Sequence, residues 1–362
     1  MKKGCATVAW SELPKDLLET IARRLQTKTD ITRFRSVCKS WRSSVPPYQS
    51  PFHFPLLLPY FGSFDQPNTF LSLTQTTLLY LHKSPSSSSS TSTSTLTSWG
   101  WLIRLGECLD HDHPLHQHYH LINPFSPLRI RPLPRTFPRT LDSSAFRVCE
   151  VAKAYSLRFS DRKVCDYKLA FYPNPKCPSL LVVACGTLWR LKLLGHDNKW
   201  RVVDDALSQL NYDDVVLHRG KFYAVDDCGR IVLVDPSSLV VKEFVPRMKT
   251  RGGHEMRLAT SRKGLLLVDK CITCYNKLEF RLYKLEMERK RLVEVKSLDD
   301  HILFLGHDYS FSVSASYFGS RCKGNCIVFA DPAFRVYSLG DGKVSPIEQH
   351  PEYIAIFYPP SG

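Results

Sequence analysis

The feature that most restricts the fold lies between Val215 and Phe244. Four apolar runs, Val215–Leu217, Lys221–Val225, Arg230–Val234 and Leu239–Phe244, are separated by His218-Arg219-Gly220, Asp226-Asp227-Cys228-Gly229 and Asp235-Pro236-Ser237-Ser238. Each run is too short for a helix, and Gly, Asp or Pro closes it at once. The spacing predicts four consecutive antiparallel strands, a meander.

Looser copies surround it. Leu265–Val268, Phe280–Leu285 and Arg291–Lys296 form one; Phe311–Val313, Cys326–Ala330 and Val336–Leu339 form another, ending in Gly340-Asp341-Gly342. Upstream, Leu180–Val183 and Leu188–Leu193 flank Cys185-Gly186, and Trp99–Ile103 and His120–Ile122 precede them. Asn123-Pro124, Asp235-Pro236 and Asp331-Pro332 each follow an apolar run. Their separations are roughly twice the ~40–50-residue period of propeller repeats. A meander is the unit of a propeller blade, so residues 51–355 read as an all-β propeller of about six blades, or seven. Helix signals are nearly absent there; Leu285–Leu292 reads equally as a helical turn or as strand and loop. Ser84–Ser98 is a serine/threonine tract that buries nothing and reads as a disordered loop.

Residues 8–46 follow a different period. Pro14 marks a helix start, because it lacks the N–H that a first turn cannot use. Leu17, Leu18, Ile21 and Leu25 make one apolar stripe, with Asp16 and Glu19 near its start and Arg23 and Arg24 near its end, as the helix dipole favours. Asp30 reads as the N-cap of a second helix. Ile31, Phe34, Val37, Cys38 and Trp41 repeat at helical spacing until Pro46 and Pro47 stop the pattern. The unit has more apolar stripe than it can hide, which points either to a partner or to packing on the rest of the chain.

Leu13-Pro14-Lys15-Asp16-Leu17-Leu18, then Ile21, Leu25, Asp30-Ile31 and Phe34-Arg35-Ser36-Val37-Cys38-Lys39-Ser40-Trp41-Arg42, closely resembles an F-box. The resemblance implies a small all-α module of three short helices that binds a Skp-type adaptor. It places Leu13, Pro14, Leu17, Leu18, Ile21, Leu25 and Ile31 in the adaptor face or its support, and Phe34, Val37, Cys38 and Trp41 in the module's core. Arg33, Arg35, Lys39 and Arg42 read equally as a solvated face or as contacts to an acidic adaptor surface. A second set of pieces, Trp99-Gly100-Trp101-Leu102, Leu121–Phe125, Gly220–Val225 and Lys323–Asp331, resembles the plant F-box proteins that carry a KIB-type β-propeller. That family implies a non-catalytic, substrate-recognition subunit of an SCF-type ubiquitin ligase. The adaptor would link it to a cullin and a RING subunit, and the propeller would recruit an unknown target protein.

Charge opens an alternative. The net charge of +15 admits a basic propeller that binds RNA or another polyanion, with the F-box secondary. The same excess also fits a solvated surface, and nucleic acid is the lesser reading. Basic clusters at Arg247–Arg251, Arg257–Lys263 and Arg289–Arg291 read as solvated surface by default. They are also weak nuclear-import candidates. Met1–Trp10 has no apolar leader region and no apolar run is long enough for a membrane helix. Twelve cysteines, several within apolar runs, read as reduced thiols, which places the chain in the nucleus, the cytoplasm or both.

No cofactor is expected, and no metal. Cys271 and Cys274 form a lone Cys-x-x-Cys without a second pair, and Cys322 with Cys326 has the same status. His111, His113, His116, His118 and His120 read as a solvated loop in preference to a zinc site. The chain has no P-loop, no nucleophile elbow and no His-Glu-x-x-His.

Overall fold

A computed structural model describes residues 10–22, 24–25, 28–47, 52–60, 70–83, 100–109, 117–125, 146–159, 167–194, 199–203, 211–248, 255–261, 263–273, 275, 277–319, 322–330 and 333–357. The serine/threonine tract, His111, His113, His116, Cys274 and Asp331-Pro332 lie outside them, as do the side chains of His118 and its neighbours.

The N-terminal module has a single 3-10 turn, Trp10–Glu12, then α1 (Lys15–Ala22), α2 (Lys28–Ser36) and α3 (Lys39–Ser44). The Pro14 carbonyl accepts from the Leu17 and Leu18 amides, both at 3.1 Å, and so opens α1. Asp30 lies in the first turn of α2 instead of capping it, where its charge still suits the positive helix end. Leu18, Ala22, Phe34 and Val45 are buried together, with Leu13, Leu25, Ile31 and Trp41 against them.

The strands follow as sheet units. The first unit contains β1 (Leu56–Pro59), β2 (Phe70–Lys83), β3 (Gly100–Leu109), β4 (Gln117–Ile122) and β5 (Phe146–Phe159), ordered β1-β2-β3-β4 with β5 also on β2. The second is a meander of β6 (Lys168–Tyr172), β7 (Ser179–Ala184), β8 (Thr187–Lys192) and β9 (Arg201–Val202). The third is the meander that dominates the sequence: β10 (Tyr212–His218), β11 (Lys221–Asp226), β12 (Ile231–Val234) and β13 (Val241–Val245). A larger sheet holds β14 (Glu255–Ser261), β15 (Gly264–Ile272), β16 (Leu278–Glu286), β17 (Arg291–Val295), β18 (His301–Leu305), β19 (Ser310–Ser314), β20 (Cys326–Ala330), β21 (Phe334–Ser338) and β22 (Val344–Pro346). A single parallel step, Thr260 beside Phe311, joins β14 to β19, so this sheet divides into a fourth unit (β14–β17) and a fifth (β18–β22). A short α4 (Pro351–Ile354) follows.

Local chemistry sets the turns. Between β10 and β11, Arg219 and Gly220 have φ of 49° and 75°; between β7 and β8, Cys185 and Gly186 have 49° and 73°. Two successive left-handed residues match the twist of a two-residue hairpin, and glycine takes the second without strain. The segment between Glu286 and Arg291 is a turn between strands, not a helix.

Alternation along the strands closes the molecule into a ring. Leu180 and Val182 pack on Leu71, Leu73 and Leu157 of the first unit. Their neighbours Leu181 and Val183 point the other way, onto Phe222, Ala224 and Val232 of the third. Tyr223 and Val225 then meet Leu258 and Leu267; Leu266 and Val268 meet Leu303 and Ile327. Finally Ile302, Phe304 and Val328 return to Leu78, Tyr80 and Leu102 of the first unit. Each sheet is apolar on both faces and can bury both only between two neighbours, which is the logic of a propeller. Among the described residues five units complete the cycle, against the six or so read from the sequence.

Candidate functional site

Two features stand apart from the packing: an apolar face on the helical module and a set of buried charges where the units converge.

In the module the apolar stripe divides. Leu18 is 0% exposed, whereas Leu17 is 52% and Ile21 is 39% exposed. Pro14 is exposed, and Leu13, Leu25 and Ile31 are half-buried against the core. Leu18 thus supports the face from beneath. Val37 corrects the sequence reading: it lies just past the end of α2 and is 54% exposed, not in the core. Phe34 and Trp41 do pack, with ring centroids 4.6 Å apart. The Trp41 indole N–H donates to the Trp10 carbonyl at 2.8 Å, and half-buried Cys38 precedes α3. Because the core is filled without Leu17, Ile21 and Val37, these side chains leave apolar surface in water.

The charges, buried or half-buried, come from every unit. Arg104 on β3 pairs with Asp308 in the turn between β18 and β19. Lys168 on β6 donates to the His307 carbonyl, as does Arg257 on β14 at 3.3 Å. Arg257 and Lys270 share the carboxylate of Glu255, at 2.6 and 3.4 Å. Asp214 on β10 accepts from the Val215 and Leu258 amides, both at 2.8 Å. Burial raises the Asp214 pKa, against the opposing charges of Arg257 and Lys168. Asp213 accepts from the Met256 amide at 2.9 Å, and burial, helped by Asp227, Glu255 and Asp214, pushes it up to about 6. Glu255 feels burial too, but Arg257, Lys270 and Lys168 hold it below its ordinary value. These groups are matched to one another, to main-chain amides or to the His307 carbonyl, so the set works as an ion network tying the units together.

Sequence reasoning missed these residues and misplaced Arg257. It assigned Arg257 to a solvated basic cluster, but the side chain is 14% exposed and ion-paired within β14. The available signal was a single charge inside an apolar strand, as in Trp101-Leu102-Ile103-Arg104-Leu105. Arg289 and Arg291 both pair with Glu286 at the surface. Burial pushes the Cys322 thiol up to about 12 and the Cys326 thiol to about 11, so both stay protonated. Cys271 lies 3.5 Å from the Glu279 carbonyl. No metal-holding group of three or more His, Cys, Asp or Glu occurs among the described residues.

Comparison with known proteins matches both parts. A model of the F-box domain matches residues 10–46, and the KIB1-4 beta-propeller model matches residues 70–356. The chain belongs to the KIB1-4 beta-propeller family of F-box proteins. F-box protein SKIP23 of Arabidopsis thaliana is 31% identical over 98% of this chain and 95% of its own. F-box protein At2g17036 of the same plant is 27% identical over 97% and 93%. F-box protein At2g26160 is 27% identical over 89% and 95%. The KIB1-4 assignment accounts for the ring of meanders, and the F-box assignment accounts for the helical module.

Proposed function

We propose that this KIB1-4 F-box protein is a substrate receptor of an SCF-type ubiquitin ligase. Its F-box docks on a Skp-type adaptor, which links it to a cullin and a RING subunit, and its propeller recruits a target protein. The observation that carries the reading is the exposed pair Leu17 and Ile21 on a module whose core is already closed by Leu18, Ala22, Phe34 and Val45. Apolar surface of this kind is what a helical partner covers. The chain would act without catalytic groups of its own, by raising the concentration of target lysines beside the conjugating enzyme. Work in the nucleus or cytoplasm fits this role.

The test is direct association of the purified chain with a plant Skp-type adaptor, alongside a Leu13→Ala/Pro14→Ala variant shown by circular dichroism to be folded. Binding by the wild type, weakened by ~2–4 kcal/mol in the variant, supports the reading. Folded wild type that does not bind overturns it.

A further inference from the structure

A cavity of about 400 Å³ opens between the first unit and the fourth and fifth. Its walls include Tyr80 on β2, Glu150 on β5, Ser261 on β14, His301 on β18, Phe311 on β19 and Tyr317. That volume falls within the ~300–1,000 Å³ of small-ligand sites.

The aromatic walls are fixed. The Tyr80 hydroxyl donates to the Tyr317 carbonyl, their ring centroids are 5.5 Å apart, and Phe318 meets Tyr80 edge-on at 5.6 Å. A Cβ on Gly100 would strike the Tyr80 ring, so the glycine makes room for it. Phe311 is held in near-parallel contact with Phe304 and with Tyr309, with centroids 5.0 and 5.3 Å away.

Among the described residues the lining holds one acidic side chain, Glu150, and no lysine or arginine, in a chain of net charge +15. The Glu150 side chain is 13% exposed, and the ion pair described for it is a long one, Lys153 Nζ at 3.9 Å. Lys153 lies three residues along β5 from Glu150 and is more exposed than it, 28% against 13%. Burial raises the Glu150 pKa against the pull of Lys153, and the carboxylate of Asp30, from α2, adds to the rise. A buried carboxylate so weakly matched gains most from a cation delivered at hydrogen-bond distance. Aromatic walls favour a planar, weakly hydrated cation, which among side chains is guanidinium.

We propose that this cavity receives an arginine side chain of the target polypeptide, with Glu150 as its counter-ion and Tyr80, Tyr317 and Phe311 as its walls. That the arginine belongs to a target rests on the substrate-receptor reading; the preference of the cavity for the cation does not.

The experiment titrates the full chain with N-acetyl-arginine methylamide and with its neutral isostere N-acetyl-citrulline methylamide, read by ligand-observed NMR. The arginine probe binds at least about tenfold tighter, the equivalent of ~1.4 kcal/mol. Glu150→Gln removes the discrimination, and Ser261→Trp, which fills the cavity, abolishes binding of both probes while the circular dichroism spectrum is kept. Equal binding of the two probes, discrimination that survives in Glu150→Gln, or no binding by folded wild type at millimolar probe overturns the proposal. Adaptor association of the same wild-type preparation separates the two readings. Probe binding without adaptor binding refutes only the ligase role, and the reverse refutes only the arginine site.

Discussion

Arg104 and Asp308 lie 204 residues apart in sequence and form an ion pair with side chains 0% and 3% exposed. The Arg104 Nη1 donates to Asp308 Oδ1 at 3.1 Å, its Nε donates to Thr76 Oγ1 at 2.8 Å, and its guanidinium lies 5.0 Å from the Tyr309 ring centre. The pair ties the first unit to the last, at the place where the ring closes. Removing one member leaves the other charged, buried and unmatched. Arg104→Met is expected to cost about 3–5 kcal/mol in urea unfolding, and the double change Arg104→Met/Asp308→Leu distinctly less. A loss in the double variant equal to the sum of the losses in Arg104→Met and Asp308→Leu alone would show that the coupling is absent.

The two sides of α1 separate stability from binding. Leu18→Ala should cost about 2–5 kcal/mol of F-box stability, because it empties a site with 0% exposure. Leu17→Ala and Ile21→Ala should stay within about 0.5 kcal/mol of wild type in stability, as surface changes do. On the adaptor reading the same two variants together lower adaptor affinity about tenfold or more. Thermal melts and a binding titration on each variant check both halves.

Asp213 gives a pH signature. Its pKa is raised to about 6 in the folded chain from an ordinary 3.8, so between these values the folded state holds the proton more tightly than the unfolded state. Stability from this group is therefore highest below pH ~4, falls as pH rises, and is fully lost above pH ~6. Asp213→Asn keeps an acceptor for the Met256 amide and removes the titration. It should flatten stability between pH 4 and 6 and raise it at pH 7 by about 1 kcal/mol, a figure reduced for the partial exposure of the group. Urea midpoints at a series of pH values decide it.

Tyr353 and Ile356 complete the core where the last unit meets the first. The Leu102 amide donates to the Ile356 carbonyl at 2.7 Å, and the Phe357 ring sits 5.1 Å from that of Phe125 and 6.0 Å from that of Phe304. Truncation after Gln349 exposes Phe125 and Phe304 and leaves the Leu102 amide without its acceptor. The truncated chain should bind a hydrophobic dye and melt about ten degrees or more lower, because it loses the buried side chains of Tyr353 and Ile356, each worth about 2–5 kcal/mol. An unchanged melt with no dye binding would show the closure to be dispensable.

Much of the architecture was legible because it is local. The period of 3.6 from Pro14 to Trp41 and the short runs from Val215 to Phe244 depend only on neighbouring residues, and both returned as helices and strands. The long strands β2 and β5 were missed: each spans fourteen residues without a sustained alternation of apolar and polar side chains. Arg257 and Arg104 were misread or overlooked because a charge looks solvated until its partner is known, and their partners arrive by folding.

By itself, the sequence determined two modules, a helical one and a strand-built one, together with the turn chemistry between strands. Only the tertiary structure decided that Leu18 is buried while Leu17 and Ile21 stay exposed, that buried and half-buried charges from five units meet, and that Glu150 lies in an aromatic cavity. The reason is physical: periodicity is fixed by adjacent residues, whereas burial, charge pairing and cavities are set by surfaces that approach only when distant units close the ring.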